Sequence, residues 1–319
     1  MKKRFILLSV LLTACQPSLE GSPQVTPPPT QPPAETPTRA VPTPGNSIST
    51  PSQPASTKEV TVTQPTSMQV GEATQVTAGS EDNEWMSLPV QPEPGVNIQD
   101  IYQLGLTLGN DPHAFSIFGD CQSRPAEFFG VYETDAALIA SLSPELQETV
   151  ANFTGSFNRE SPTSQDGTTP GALLWDQWHR GEYGCQFGET PVDCELRIHR
   201  PSFVIIQIGS HFESRNTEYL RRVIDQLLAN GVVPILATKA DNREKDNRIN
   251  RDMAMLSAEY DLPLWNFWAA VDDLPNRGLY TRKDRPLQGD IYLTDDAKLI
   301  HRETGLEALD IVWRMATGE

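Results

Sequence analysis

The sequence predicts an α/β fold, with a central parallel sheet covered by helices on both faces. Three observations carry this: apolar, β-branched runs of strand length recur, amphipathic helical stretches lie between them, and polar clusters sit where the runs end. Residues 114–118 (AFSIF) read as a strand that runs into Gly119-Asp120. Residues 203–208 (FVIIQI) are a continuous run ending at Gly209-Ser210, which suits a strand buried on both faces. Residues 216–230 place Leu220, Val223, Ile224, Leu227 and Leu228 at helical spacing, with Gly231 as the stop. Residues 232–238 (VVPILAT) form the next strand, 246–260 a helix with Ile249, Met253 and Leu256 on one side, and 262–267 (LPLWNF) a further strand. Residues 295–315 close the fold as a helix with Leu299, Leu306, Leu309 and Val312 on its apolar face. In such sheets the ligand site lies beyond the C-terminal ends of the strands. Asp120-Cys121-Gln122-Ser123 and Ser210-His211 fall there.

Composition divides the chain. Of its 27 prolines, 16 lie in the first 94 residues and 11 in the remaining 225. This predicts one ordinary domain, 96–319, behind a non-globular lead. With 25 Lys+Arg against 42 Asp+Glu, the net charge of −17 leaves no basic excess for phosphates and argues against nucleic-acid binding. No apolar run approaches the roughly 18–20 residues of a membrane-spanning helix.

The lead opens with Lys2, Lys3 and Arg4, then a short apolar run, FILLSVLL, and small or polar residues before Cys15. This is the pattern of a signal peptide over 1–14. Its ending, Leu12-Thr13-Ala14-Cys15, resembles the lipobox of bacterial lipoproteins, in which the cysteine thiolate takes a diacylglyceryl group. The resemblance implies export and a lipid anchor at Cys15 on the outer face of the bacterial cell membrane. An ordinary signal peptide that happens to hold a cysteine is the other reading. Residues 15–95, rich in Pro, Thr, Ser and Gln, read as a disordered linker. Within it, 59–77 alternates enough for a stray strand. An exported compartment permits disulfides, and Cys185 and Cys194 form the pair left once Cys15 is set aside. Their loop offers no other Cys or His for zinc, so no metal is expected there. Cys121 remains unpaired, either a small buried hydrophobe or a reactive thiol.

Phe118-Gly119-Asp120-Cys121 resembles the first block of the SGNH (GDSL) hydrolases, Gly-Asp-Ser. Gly209-Ser210-His211-Phe212 resembles their third block, Gly-x-Asn-Asp, and Gly167 or Gly171 stands for the second-block glycine. Gly289-Asp290-Ile291-Tyr292-Leu293-Thr294 resembles their fifth block, Asp-x-x-His-Leu-Thr. The resemblance covers about 100–316. It implies a three-layer α/β/α, flavodoxin-like sandwich, ester hydrolysis by a Ser-His-Asp set, and no cofactor. Carried over by position, Cys121 stands for Ser, His211 for Asn, Gly289 for Asp and Tyr292 for His. Gly167, Gly171, Gly209, Ser210, Asp290 and Tyr292 become the cleft and oxyanion candidates. A phenol is a poor general base at neutral pH, and glycine has no carboxylate.

The expectation is therefore a surface lipoprotein with an impaired or inactive esterase-like domain. It would act as a monomeric binding module for a glycan or an acylated component of the cell envelope. An active hydrolase or acyltransferase using Cys121 with His211 and Asp120 is the alternative, and a structural lipoprotein without ligand is a third reading. His113, His179, His199 and His301 carry no motif. Asn266 and Trp268 could line the cleft, but aromatic residues there are more often core, and 241–248 reads as a solvated loop and helix start.

Overall fold

The computed structural model describes residues 81–93, 97–211, 213 and 215–318. The signal peptide, Cys15, the linker up to residue 80 and the stray strand at 59–77 lie outside the described residues.

Four parallel strands form the sheet in the order β1 (Asp111–Gly119), β2 (Pro201–Gln207), β3 (Val233–Ala237) and β4 (Leu264–Trp265). Gly119 also makes an isolated parallel bridge to Ser164 and donates its N–H to Thr163 O at 3.0 Å. That N–H points away from β2, so the 163–164 segment extends the sheet beyond β1. The chain thus reverses direction across the sheet at β1, as in the flavodoxin-like order. Asp120 and Cys121 follow β1 directly and stand at this switch point.

Side chains alternate faces along each strand and build two cores. Phe115 and Ile117, Phe203 and Ile205, and Val233 and Ile235 face one side. They meet α1 (Ile98–Leu108), α4 (Pro144–Asn152) and α10 (Asp295–Thr317). Phe118, Val204, Ile206 and Leu236 face the other, against α7 (Asn216–Ala229) and α8 (Arg248–Tyr260). This is the three-layer α/β/α arrangement the sequence predicts. Gly231 ends α7 as expected: its φ of +64° lets Val232 N–H reach back to Leu227 O at 3.0 Å.

The long β1–β2 connection holds α2 (Val131–Thr134), α3 (Ala136–Ser141), α4, α5 (Pro170–Leu173) and α6 (Pro191–Ile198), none of them anticipated. Most are short helices started by side-chain caps: Asp135, Ser143, Thr169 and Thr190 each accept from a backbone N–H. Cys185 and Cys194 are bonded, as expected, with Cα atoms 5.2 Å apart. Closing so small a loop contributes about 2–3 kcal/mol in the chain-entropy model.

The predicted strand at 262–267 is shorter than its apolar run, because Asn266 leaves the ladder to start α9 (Phe267–Ala270). Its backbone N–H bonds to Val90 O at 2.9 Å, and its Nδ2 donates to Trp85 O and Leu88 O, both at 3.0 Å. Trp85 packs edge-on to Trp268. Residues 85–90 therefore dock on the fold ahead of the boundary at 96 that composition suggests. Asn266 and Trp268 are structural. A two-stranded antiparallel ribbon, β5 (Leu279–Tyr280) with β6 (Tyr292–Leu293), stands before α10.

Candidate functional site

β1 and β2 deliver their polar ends to one place. Asp120 is buried, and its Oδ2 accepts from Gly209 N–H at 3.3 Å and Ser210 N–H at 2.9 Å. Its Oδ1 accepts from Gln122 N–H at 3.3 Å. Asp120 thus binds the loop after β1 to the loop after β2. Burial first, and then the charge of Asp241, push its carboxyl above the usual range.

A second layer beneath this loop was not foreseen. Lys239 Nζ donates to Asp241 Oδ1 at 2.9 Å and Glu244 Oε2 at 2.7 Å, and all three side chains are at most 3% exposed. Ser210 Oγ donates to Asp241 Oδ2 at 3.2 Å, and Arg243 holds Ser210 O at 2.9 Å. The reading of 241–248 as solvated is thereby corrected for Asp241 and Glu244. A run of mixed charge turns inward here because Lys239, at the end of a buried strand, offers a cation to fold around. Gly209 is required by the same packing: a Cβ would lie 2.5 Å from the Lys239 Cδ. The one signal in sequence was position, since these residues follow β3 as the known candidates follow β1 and β2.

Cys121 lines a cleft of about 360 Å³ together with Asp166, Tyr280, Tyr292 and four basic side chains, Arg124, Arg282, Arg285 and Lys298. The charges of Asp120, Asp166 and Asp241 act on the thiol. Burial and these carboxylates together push the thiol far above its ordinary value. Cys121 should therefore react with iodoacetamide at pH 8 at least ~10-fold more slowly than free cysteine. Asp120→Asn should speed it, and a wild-type rate matching free cysteine would refute this electrostatic description.

His211 acts on Asp120 instead and lines a separate cavity with Gly167, Thr169 and Arg243. Tyr292 lies on β6, and its hydroxyl is paired with Gln288 Oε1. Asp290 is turned outward, tied to Thr281 and to Asn276 Nδ2, and borders a different cavity with Gly289. Gly171 N–H, a candidate oxyanion donor, already binds Glu213 Oε1 at 2.6 Å. Gly167, with φ of +86°, borders the cavities on either side of Thr169. The structure thus joins Asp120, Gly209 and Ser210 directly, places Cys121 and Tyr292 in one cleft, gives His211 and Gly171 to neighbouring cavities, and turns Asp290 outward to another.

The remaining histidines are all engaged in the fold. His113 Nδ1 pairs with Asn152 Oδ1 at 2.7 Å. His179 accepts from Gly181 N–H and reaches Glu189 O, each at 3.0 Å. His199 Nε2 lies 3.0 Å from Phe115 O; burial, then Arg159, pull its pKa down to about 4. His301 is enclosed between Phe128, Trp265 and Phe267, with Nε2 2.6 Å from Gln207 Oε1. Ser123 Oγ reaches the same Gln207 oxygen at 3.3 Å, so His301 braces the loop that carries Cys121.

No family model matches the chain, and no curated protein matches it in sequence. Among solved structures, it is similar to a GDSL-like lipase from Bacteroides thetaiotaomicron, with 12% identity and a TM-score of 0.40 over 67% of this chain and 98% of that one. It is also similar to a protein assigned to the lipolytic G-D-S-L family from Desulfitobacterium hafniense, with 15% identity and a TM-score of 0.38 over 61% of this chain and 99% of that one. A third similar structure is a protein assigned as an acylhydrolase from Bacteroides fragilis, with 13% identity and a TM-score of 0.40 over 70% of this chain and 100% of that one.

Proposed function

We propose that the domain is a non-hydrolytic binding module with a GDSL-like cleft, exported and held at the outer face of the bacterial membrane by a lipid on Cys15. Its ligand is a glycan or an acylated component of the cell envelope. The observation that carries the loss of hydrolysis is the setting of Cys121: it shares its cleft with Asp166 and the phenols Tyr280 and Tyr292, while His211 lines a neighbouring cavity, and burial with the charges of Asp120, Asp166 and Asp241 favours the protonated thiol. A nucleophile in that setting stays protonated, and a paired phenol cannot serve as its base. Three of the loop N–H groups are also committed. Those of Gly171, Gly209 and Ser210 already bind carboxylate oxygens of Glu213 and Asp120, which leaves them unavailable to an oxyanion.

Two measurements test the two halves of this proposal. The protein and its Cys121→Ala variant should release p-nitrophenol from p-nitrophenyl acetate at the same, buffer-like rate; turnover that disappears with the thiol overturns the non-hydrolytic reading. Growth with labelled palmitate should mark the protein in a bacterial host, and Cys15→Ser should abolish the label. Label retained in that variant refutes the anchor.

A further inference from the structure

Three cavities neighbour one another beyond the C-terminal ends of the strands. The cleft of Cys121 ends at Asp166. The cavity of His211 begins at the next residue, Gly167. A third, of about 520 Å³, shares Gly167 and Thr169 with it and is lined beyond them by Trp175, Trp178, Tyr219 and Arg222. Each alone has the size of a small-molecule site; the second and third share residues and the first adjoins them at Asp166–Gly167, so a ligand longer than one small molecule can span them as a groove.

The groove has two chemical features that the rest of this acidic chain does not suggest. One is aromatic: Tyr280 and Tyr292, with ring centroids 6.0 Å apart, stand at one end. Trp178, Tyr219 and a Trp175 that is 55% exposed stand at the other. The second is cationic. Six basic side chains face three acidic ones, Glu127, Asp166 and Glu213, in a protein of net charge −17. Three of the six are paired with acids: Arg124 with Glu160 and Asp166, Arg282 with Asp284, and Lys298 with Glu127. The other three, Arg285, Arg243 and Arg222, are exposed and make no close ion pair among the described residues, although Arg285 acts on Asp284 and Arg222 on Glu218 from further off, and each lines a different one of the three cavities.

A guanidinium presents a planar fork that fits a carboxylate, phosphate or sulfate. An aromatic ring offers an apolar face with a polar edge, suited to a sugar ring that is apolar on its C–H face and hydroxylated at its rim. Alternation of the two along a groove matches a ligand that repeats both. We infer that the groove binds a linear acidic polysaccharide, with Arg285, Arg243 and Arg222 each set against an anionic group of a different saccharide segment. This rests on the non-hydrolytic binding reading and names its ligand class.

The test is calorimetric titration of the full chain with galacturonic acid, its trimer and its hexamer, the methyl-esterified hexamer, and poly(glycerol phosphate) as a polyanion without rings. An exposed ion pair is worth up to about 1 kcal/mol, or about 5-fold in affinity. The hexamer should bind at least ~10-fold more tightly than the monomer, and the methyl ester ~10- to 100-fold more weakly than the free acid. Arg285→Ala and Arg222→Ala, at opposite ends, should each weaken the hexamer by about 5-fold with unchanged circular dichroism. Equal binding of monomer and hexamer, equal binding of ester and acid, poly(glycerol phosphate) matching the hexamer, or no binding by the folded protein overturns the inference. The aryl-ester assay reads the other claim independently: hydrolysis with length-dependent glycan binding would retain the groove and discard the non-hydrolytic reading.

Discussion

Replacing Lys239 with methionine should lower the unfolding free energy by about 3–5 kcal/mol, the range for removing one partner from a buried ion pair. The substitution keeps most of the stem volume and removes only the ammonium. Asp241 and Glu244, both with fully buried side chains, then face each other without a cation. Two routes of relief are open: protonate a carboxyl, or open the loop to water. Opening also releases Ser210, which Asp241 and Arg243 hold, and with it the N–H groups that bind Asp120. Urea unfolding at pH 7 measures the effect. The triple change Lys239→Met, Asp241→Asn, Glu244→Gln should recover most of the loss, because replacing a whole buried charge set by neutral groups is often close to neutral in energy. A single-variant loss below about 1 kcal/mol would mean that water reaches the pair in solution.

Acid should destabilise the domain through His199 and His301. Both are held in the fold with pKa values below the ordinary 6.5, mainly by burial: His199 at about 4, His301 well below the ordinary value. Below pH 6.5 the unfolded chain binds protons that the native one refuses, so stability rises with pH there and falls as pH falls. The stability is complete above the unfolded pKa and declines by up to about 1.4 kcal/mol per pH unit for each histidine. The decline is smaller for His199, which water partly screens. His199 stops contributing near pH 4, where its native form also protonates, while His301 continues to lower pH. Asp120 opposes them. Its raised pKa means that the penalty of its buried charge is relieved as pH falls through the native value. Urea midpoints between pH 4 and 8 should therefore fall on the acid side. His199→Gln, which keeps a donor for Phe115 O, should make the fall shallower, and Asp120→Asn should make it steeper. A flat profile in the parent protein would contradict the burial of both rings.

The strands were legible because each is self-contained. VVPILA is apolar at every position and FVIIQI at all but Gln207, and only a doubly covered strand needs so nearly continuous a run. Helix α1 was not: its buried positions are Ile98, Tyr102 and Gly105, and the glycine offers a periodicity reading nothing to count. The short helices before β2 depend on caps more than on an apolar stripe. At the site, Gly119-Asp120-Cys121 was legible because a polar cluster ends a buried strand. The Lys239 network was not, because burial of a charge is decided by partners on other loops. Nor does any residue pattern say that His113, His179, His199 and His301 are each engaged by Asn152, Glu189, Phe115 and Gln207.

The docking of residues 85–90 also sets how the domain bears a mechanical load. A pull arriving through the N-terminal chain meets the Trp85–Trp268 contact and the three Asn266 hydrogen bonds before it meets the sheet. These attachments lie in sequence along one short segment, so tension opens them one after another, as a strip is peeled. The parallel strands behind them would have to slide past one another with their hydrogen bonds loaded together. The N-terminal segment is thus a weak link in series with a strong one. It should yield at lower force than the sheet, lengthening the connection while the strands behind it stay paired.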